Sequence, residues 1–325
     1  MERGPTLNPA VGLLSRVARD GHTGATLDLV ELAAGSAALD AAVTAGEVVV
    51  EDGWVALEPL ALAEASIADE ILGLAAEGRI SVVLETARTE HAADIGPFDD
   101  LRRMALADLA AALQAVPDDM PVVLRGDPDE LLGAEAGAPL RDIVESGLVP
   151  VEDRRPAPDP EGSGLLDALP AAIRAGQLPD PRPHDRSVVV VPCEDDTEVV
   201  HRVQQLLNDS IPRVFGVAAP DVLVLTPLRR GTAGCEALAS LLAETNVSTV
   251  HNAVGRSAEA VVVCLPGQAA GVLHRALVYS AVLTAGRHLS IVSAAGDAVP
   301  RAVADGSLRR RATRLGDLLR SGAAG

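Results

Sequence analysis

The residues best suited to chemistry stand in three short loops, at 126–131, 226–231 and 251–256. The first crowds three carboxylates into one turn, and carboxylates are the side chains that bind Mg²⁺. The second holds two adjacent arginines, which suit contacts with phosphate. Neither pattern is specific, because acidic turns are common surface loops and exposed arginines are commonly solvated or salt-bridged. Whether these loop residues form a site depends on the strands and helices that position them.

Several reaction types are excluded by what the chain lacks. All 27 basic residues are arginine, so no lysine can serve a phosphate loop, a Schiff base or general-base catalysis. The seven histidines include no pair at metal-ligand spacing, and Cys193, Cys235 and Cys264 form neither a metal clip nor a disulfide framework. We therefore predict no metal site, and a reducing, cytoplasmic location. No apolar run approaches the roughly 20 residues that span a bilayer, so we expect no membrane partner.

The charge of the chain is unevenly distributed. Residues 1–150 contain 27 acidic residues and 9 arginines, whereas residues 151–325 contain 19 and 18. Residues 301–325 reverse the balance, with six arginines and two aspartates. An acidic first half repels phosphate backbones, so any nucleic-acid contact is expected from the second half.

Hydrophobic periodicity and turn signals divide the chain into four parts. Residues 1–62 combine helical spacing with a hairpin around Asp52-Gly53, which predicts a small helical domain of winged-helix type. Residues 63–150 and 186–325 alternate strands with helices, which predicts α/β lobes with parallel sheets, the first truncated. Residues 151–185 are proline-rich and read as a linker. Ligands of such sheets bind beyond the carboxyl ends of the strands, where the three loops stand.

Four sequence blocks together resemble the RecD-like superfamily 1 DNA helicases. VVLRGDPDELLGAEAGAPLRDIVESGLVPV (122–151) is similar to the motif III region of that family, and VLVLTPLRRGTAG (222–234) to its strand ending in T-P-x-R-R-G. STVHNAVGRSAEAVVVCLPG (248–267) resembles motif V, and ALVYSAVLTAGRHLSIVS (276–293) resembles motif VI. The blocks follow the family order. The resemblance implies RecA-like lobes and an ancestral ATP-dependent 5′–3′ DNA helicase activity.

The same resemblance identifies the positions of a vestigial nucleotide cleft. These are Glu85, Gly126, Asp127, Asp129, Glu130, Arg155, Gly255 and Thr284. It also identifies candidate nucleic-acid contacts, which are Thr226, Arg229, Arg230, Thr249, His251 and Asn252.

The departures from the family pattern concern catalysis. No phosphate-loop segment is present, because the chain passes from about Glu77 directly into the strand ISVVLE. Glu130 stands where the family carries glutamine, and Thr284 where it carries the motif VI arginine. Loss of such an arginine alone costs ~10³–10⁵ in rate. The SH3-like insert of the family is missing as well. We therefore predict no ATPase activity and no ATP or Mg²⁺ cofactor.

Three interpretations follow. The favoured one is an ATPase-inactive protein of the helicase family, acting as a binding or regulatory module in DNA metabolism, with a protein partner at residues 1–62. The second is a DNA-binding module without ATPase that binds single-stranded DNA. The third is an active helicase or nucleotidase whose partner chain supplies the phosphate loop. The C-terminal segment 309–320 is expected to form an amphipathic helix docked on the second lobe, or to make an electrostatic contact with the acidic first half or with nucleic acid.

Overall fold

The fold is a mixed α/β arrangement, in a computed structural model that describes residues 7–86, 98, 101, 104–156, 164–182, 184–242, 244–306 and 310–323. These residues form one antiparallel sheet of three strands and two parallel sheets of three and five strands. The predicted α/β class with parallel sheets is confirmed. The predicted helix from Asp99 to Val116 is found only over Leu106–Gln114, and part of it lies outside the described residues.

The N-terminal piece, residues 9–57, packs three helices against a small antiparallel sheet of order β1-β3-β2. Asn8 starts the first helix, because its side chain accepts a hydrogen bond from Ala10 N–H at 2.8 Å and Pro9 follows it. Asp52, at φ 49°, and Gly53, at φ 77°, make the predicted hairpin turn. The elements are α1 (Pro9–Arg19), β1 (Gly24–Thr26), α2 (Leu27–Ala34), α3 (Ser36–Thr44), β2 (Val48–Glu51) and β3 (Trp54–Leu57).

The first parallel sheet has three strands in the order β5-β4-β6, packed against helices. Ile67 and Ile71, four residues apart on one helix, and Leu109 on another helix are buried in its core. The elements are α4 (Glu58–Ala76), β4 (Ile80–Leu84), α5 (Leu106–Gln114), β5 (Val122–Gly126), α6 (Pro139–Ser146) and β6 (Val151–Asp153).

The proline-rich interval 151–185 contributes to both parallel sheets. Residues 151–153 form β6, which pairs with β4, and residues 165–174 form a helix, α7 (Leu165–Arg174), in the core of the second sheet. The sequence did not predict either element. A three-residue strand carries too short a pattern to detect, and Pro170 lies inside the helix and argues against one.

The second parallel sheet has five strands in the order β7-β11-β10-β8-β9, with helices on both faces. Its central strand, residues 258–265, packs against helices on both faces. Val261 and Val263 point into one apolar cluster, while Val262 and Cys264 point into the other. The strands are β7 (Val188–Pro192), β8 (Val222–Thr226), β9 (Asn246–Thr249), β10 (Ala258–Leu265) and β11 (Ala285–Ser293). The helices are α8 (Asp196–Gln205), α9 (Ile211–Phe215), α10 (Cys235–Leu241), α11 (Val250–Ala253), α12 (Arg275–Leu283) and α13 (Ala298–Ala304).

The C-terminal helix, α14 (Leu315–Gly322), packs on the first lobe, so the expectation that it docks on the second lobe is wrong. Leu315 and Leu319 are fully buried in the core of the three-stranded sheet, against α4 and α6. The helix also begins later than predicted, and residues 310–314 precede it. Glu64 fixes its start, because Oε1 accepts hydrogen bonds from the backbone N–H groups of Arg314 (3.0 Å) and Leu315 (3.3 Å).

The C-terminal arginines contact the acidic first half, as the alternative expectation stated. Arg310 pairs with Glu145 at 2.8 Å, and Arg314 pairs with Glu51 and, at 2.9 Å, with Asp52. Among the described helices, none has both the length and the apolar character needed to cross a bilayer.

Candidate functional site

The acidic turn 126–130 lies at the carboxyl end of β5, as predicted. Gly126 has φ +146°, and an added Cβ would stand 2.9 Å from Leu140, so both the backbone angle and the close approach of α6 require glycine. Glu85 lies beside it on the neighbouring strand end, where its N–H donates to Gly126 O at 3.1 Å. The Glu85 side chain pairs with Arg125 at 3.4 Å.

Asp127 is fully buried, and both of its carboxylate oxygens are hydrogen-bonded by the protein itself. Oδ1 accepts from Arg155 at 2.7 Å and from Asp129 N–H at 3.0 Å. Oδ2 accepts from the hydroxyl of Tyr279 at 2.6 Å. Protein donors therefore occupy three of the about four lone-pair sites of this carboxylate.

Arg155 joins three carboxylates. Its Nη1 lies 2.7 Å from Asp127 and 2.7 Å from Asp129, and its Nη2 lies 2.7 Å from Asp153. Burial alone would lower the pKa of Arg155, but the hydrogen bonds and charges of these three partners raise it. In return, the hydrogen bond from Arg155 lowers the pKa of Asp153. We call Asp127, Asp129, Asp153, Arg155 and Tyr279 the acidic latch.

The latch connects the two lobes. Tyr279 lies on α12 of the second lobe, and its neighbour Ser280 accepts a hydrogen bond from Leu131 N–H at 2.8 Å. The Leu131 side chain is buried in the core of the five-stranded sheet. Burial, together with the charge and hydrogen bond of Asp127, raises the pKa of Tyr279. The turn after β5 is therefore fixed to the second lobe by two hydrogen bonds and an apolar anchor.

The remaining positions assigned to the nucleotide cleft occupy other surroundings. Thr284 ends α12, ~7.5 Å of helical rise beyond Tyr279, and its hydroxyl donates to Ala281 O at 2.7 Å. Gly255 lies in the turn after α11, with φ +77°. Neither residue forms a hydrogen bond with Asp127 or Arg155 in the part of the chain that the structure describes. The structure thus brings Asp127, Asp129 and Arg155 together and leaves Gly255 and Thr284 outside the latch.

The candidate nucleic-acid contacts also separate into groups. Thr226 is buried, and its hydroxyl donates to Ala233 O at 2.9 Å, so it closes its own loop. Arg229 and Arg230 are exposed and both lie near Glu236, at 2.8 and 3.7 Å. Thr249 caps α11 by accepting from the backbone N–H of Asn252 at 3.3 Å.

His251 and Asn252 line a cavity of about 730 Å³ next to the turn after β5. The cavity lies between the end of α1, residues 130–134, α11, the start of α12 and the segment before α14. Its charged and imidazole side chains, which define what we call the basic cavity, are Arg19, Asp20, His22, Glu130, Arg141, His251, His274, Arg310 and Arg311.

Several of these functional candidates have only a weak signal in the sequence. Tyr279 lies within the motif VI block, where a lone tyrosine in an apolar helix is itself a signal, since a buried phenol needs a hydrogen-bond partner. Arg19 and Arg141 carried no local pattern. Within the described residues, no group of three or more His, Cys, Asp or Glu side chains is arranged to hold a metal ion.

Comparison with known proteins gives low similarity. No family model matches the chain. A DNA complex of the Arterivirus nonstructural protein 10 helicase aligns at 14% identity and a TM-score of 0.36, over 79% of this chain and 73% of that one. A crystal structure of the Arterivirus nonstructural protein 10 helicase aligns at 14% identity and a TM-score of 0.34, over 77% and 70%.

Proposed function

We propose that this chain is a helicase-like module of the RecD-like type that does not hydrolyse ATP and serves as a binding or regulatory protein in DNA metabolism. The observation that carries the proposal is the acidic latch. Its three carboxylates and one guanidinium give a formal charge of −2, at the positions where the resemblance places the nucleotide cleft. A negative cluster repels a triphosphate instead of binding it.

The chemistry of phosphoryl transfer supports the same proposal. A transferred phosphoryl group needs a backbone cradle with a lysine, a magnesium site and a cation facing the developing charge. The chain has no lysine, and α4 leads into β4 through residues 77–79 alone. The guanidinium of Arg155 is already paired with three carboxylates.

The N-terminal piece offers the surface for a protein partner. It has helices, a three-stranded sheet and a hairpin, the set of elements used by winged-helix domains for docking or for DNA binding. Residues 1–50 carry six acidic residues and three arginines, which favours a protein partner over DNA. Leu29 and Leu32 on α2 are 53% and 86% exposed, so this helix has apolar side chains available for docking.

DNA binding without ATPase is the second candidate. One observation favours it: His251 and Asn252, both assigned as nucleic-acid contacts, line the same cavity as four arginines. Binding of single-stranded DNA in this cavity would weaken steeply as the salt concentration rises, because the release of counterions from DNA drives such binding.

The test is a titration of the purified protein with a fluorescent Mg·ATP analogue, with and without single-stranded DNA, together with an ATPase assay. We expect no hydrolysis that DNA stimulates, and no nucleotide binding that remains once the basic cavity is altered. The same titration is repeated with the Arg19→Glu variant, which alters the basic cavity and leaves the acidic latch intact, so that binding at the two places can be distinguished. Mg²⁺-dependent binding that unlabelled ATP displaces, and that persists in this variant, would disprove the proposal.

A further inference from the structure

The basic cavity is positively charged within a strongly negative protein. Four arginines and two carboxylates line it, which gives a formal charge of +2 with neutral histidines, or +1 when Glu145, which pairs with Arg310 at 2.8 Å, is counted; the whole chain carries −19. The arginines come from distant parts of the chain, namely α1, α6 and the segment before α14. Folding therefore concentrates cations that the sequence scatters.

Two of these guanidinium groups are held by carbonyl oxygens. Arg311 donates to the backbone oxygens of Gly133, Glu135 and Gly137 at 2.6, 2.5 and 2.8 Å. Arg141, which is 8% exposed, donates to Pro128 O at 2.6 Å. Across the described parts of the chain, neither guanidinium forms an ion pair with a carboxylate. Carbonyl dipoles orient these groups without neutralising their charge.

The cations also oppose one another. Burial and the charge of Arg141 lower the pKa of Arg311. Burial and the charge of Arg311 lower the pKa of His251. Like charges that face each other in a partly desolvated space raise the free energy of the empty site, and a bound anion removes that cost.

The shape and lining of the cavity favour phosphate groups as ligands. About 730 Å³ lies within the range of ordinary small-ligand sites, and the lining includes no Phe, Tyr or Trp on which a base could stack. Neutral His22 keeps its ring proton on Nε2, because Nδ1 accepts a hydrogen bond from Ala312 N–H at 2.8 Å. Guanidinium and imidazole N–H donors from several directions suit an anion with several oxygens.

The surroundings favour a compact anion over a long one. Residues 1–150, which supply α1, α6 and the acidic turn at the cavity, contain 27 acidic residues and 9 arginines. A polymer that extended beyond the cavity would meet this negative surface, whereas a small ligand would not. At physiological ionic strength the repulsion reaches about 8 Å, which is enough to affect neighbouring phosphates of a chain.

We propose that the basic cavity binds a compact anion carrying several phosphate charges, of nucleotide size or smaller, through Arg19, Arg310, Arg311 and His251. The site is separate from the acidic latch, and its occupancy does not depend on whether ATP is hydrolysed.

The test is isothermal titration calorimetry with tripolyphosphate, without Mg²⁺, at two salt concentrations. We expect one saturable site with a Kd below about 1 mM at low salt. Arg19→Glu, at an exposed residue, should weaken binding by roughly tenfold, since it turns an attraction into a repulsion. Arg16→Glu is the matched control: it makes the same change one turn earlier on α1, at an exposed residue outside the cavity lining, and should weaken binding clearly less than Arg19→Glu does.

His251→Gln tests the opposite wall and should weaken binding in the same titration without changing the formal charge. A parallel titration with single-stranded oligothymidine shows whether the cavity prefers a small polyphosphate anion or the phosphate backbone of a nucleic acid. The proposal fails if tripolyphosphate gives no saturable binding, or if Arg16→Glu and Arg19→Glu weaken it equally, which is the result of a general surface attraction. It also fails if only the oligonucleotide binds, since the cavity would then be part of a nucleic-acid groove.

Discussion

The hydroxyl of Tyr279 donates a 2.6 Å hydrogen bond to Oδ2 of Asp127, across the boundary between the two parallel-sheet units. The two residues are 152 positions apart in the chain, and both are buried. Arg155 holds the other oxygen of the same carboxylate. One aspartate thus fixes the position of α12 relative to the end of β5.

Tyr279→Phe should destabilise the protein by about 1–3 kcal/mol, because a buried charged acceptor loses a donor. Urea unfolding measures the loss. Ser280→Ala, which removes a hydrogen bond from the neutral Leu131 N–H in the same interface, is the comparison and should cost about 1 kcal/mol. Equal stability of Tyr279→Phe and the unchanged protein would mean that the bond contributes nothing.

Arg155→Ala should cost roughly 3–5 kcal/mol, because it leaves the fully buried Asp127 carboxylate without its charge partner. The adjacent Arg154 provides a matched control, since its side chain is 41% exposed and pairs with Glu152 at the surface. Arg154→Ala should cost less than about 1 kcal/mol. Similar unfolding midpoints for the two variants would contradict the role given to the acidic latch.

Asp142 should make the folded state less stable as the pH rises. Burial raises its pKa from 3.8 to about 7, although Thr313 donates a hydrogen bond to it and Arg141 lies near, and the charges of Glu64 and Glu145 add to the increase. Between about pH 4 and 7 the folded state keeps a proton that the unfolded chain releases, so stability falls through this range and levels off above it.

Asp142→Asn should remove this part of the pH dependence and stabilise the protein at pH 8 by on the order of 2 kcal/mol relative to pH 5. Unfolding at both pH values, with the exposed Asp40→Asn as the control of equal charge change, measures the difference. A slope that is the same in both variants would rule out Asp142 as its source.

Leu319→Ala should destabilise the three-stranded sheet by about 2–5 kcal/mol, because Leu319 is fully buried in the core of that sheet. Hydrogen exchange should show faster exchange at β4 than at β10. Leu62→Ala, at a residue 56% exposed on α4, should stay within roughly 0.5 kcal/mol. Faster exchange confined to β10 would place the helix on the second lobe instead.

The sequence alone determined the local elements. Val261 to Cys264 alternate between two apolar layers, as a strand covered on both faces must, and Asp52-Gly53 formed the predicted hairpin turn. It also placed Asp127, Asp129 and Arg155 in one site by resemblance, although their ion pairs could not be predicted. The strand and the hairpin turn depend on the spacing of residues a few positions apart, so they can be predicted from the order of residues in the chain.

Only the tertiary structure decided which distant side chains meet. The pairing of Tyr279 with Asp127, the start of α14 at Glu64 and the convergence of Arg19 with Arg311 all join residues more than 140 positions apart. None of them leaves a periodic signal, because each depends on how α12, α14 and α1 pack on their neighbours. Burial strengthens the contacts of Asp127 and Glu64, since charges that would be screened in water interact strongly once they are desolvated.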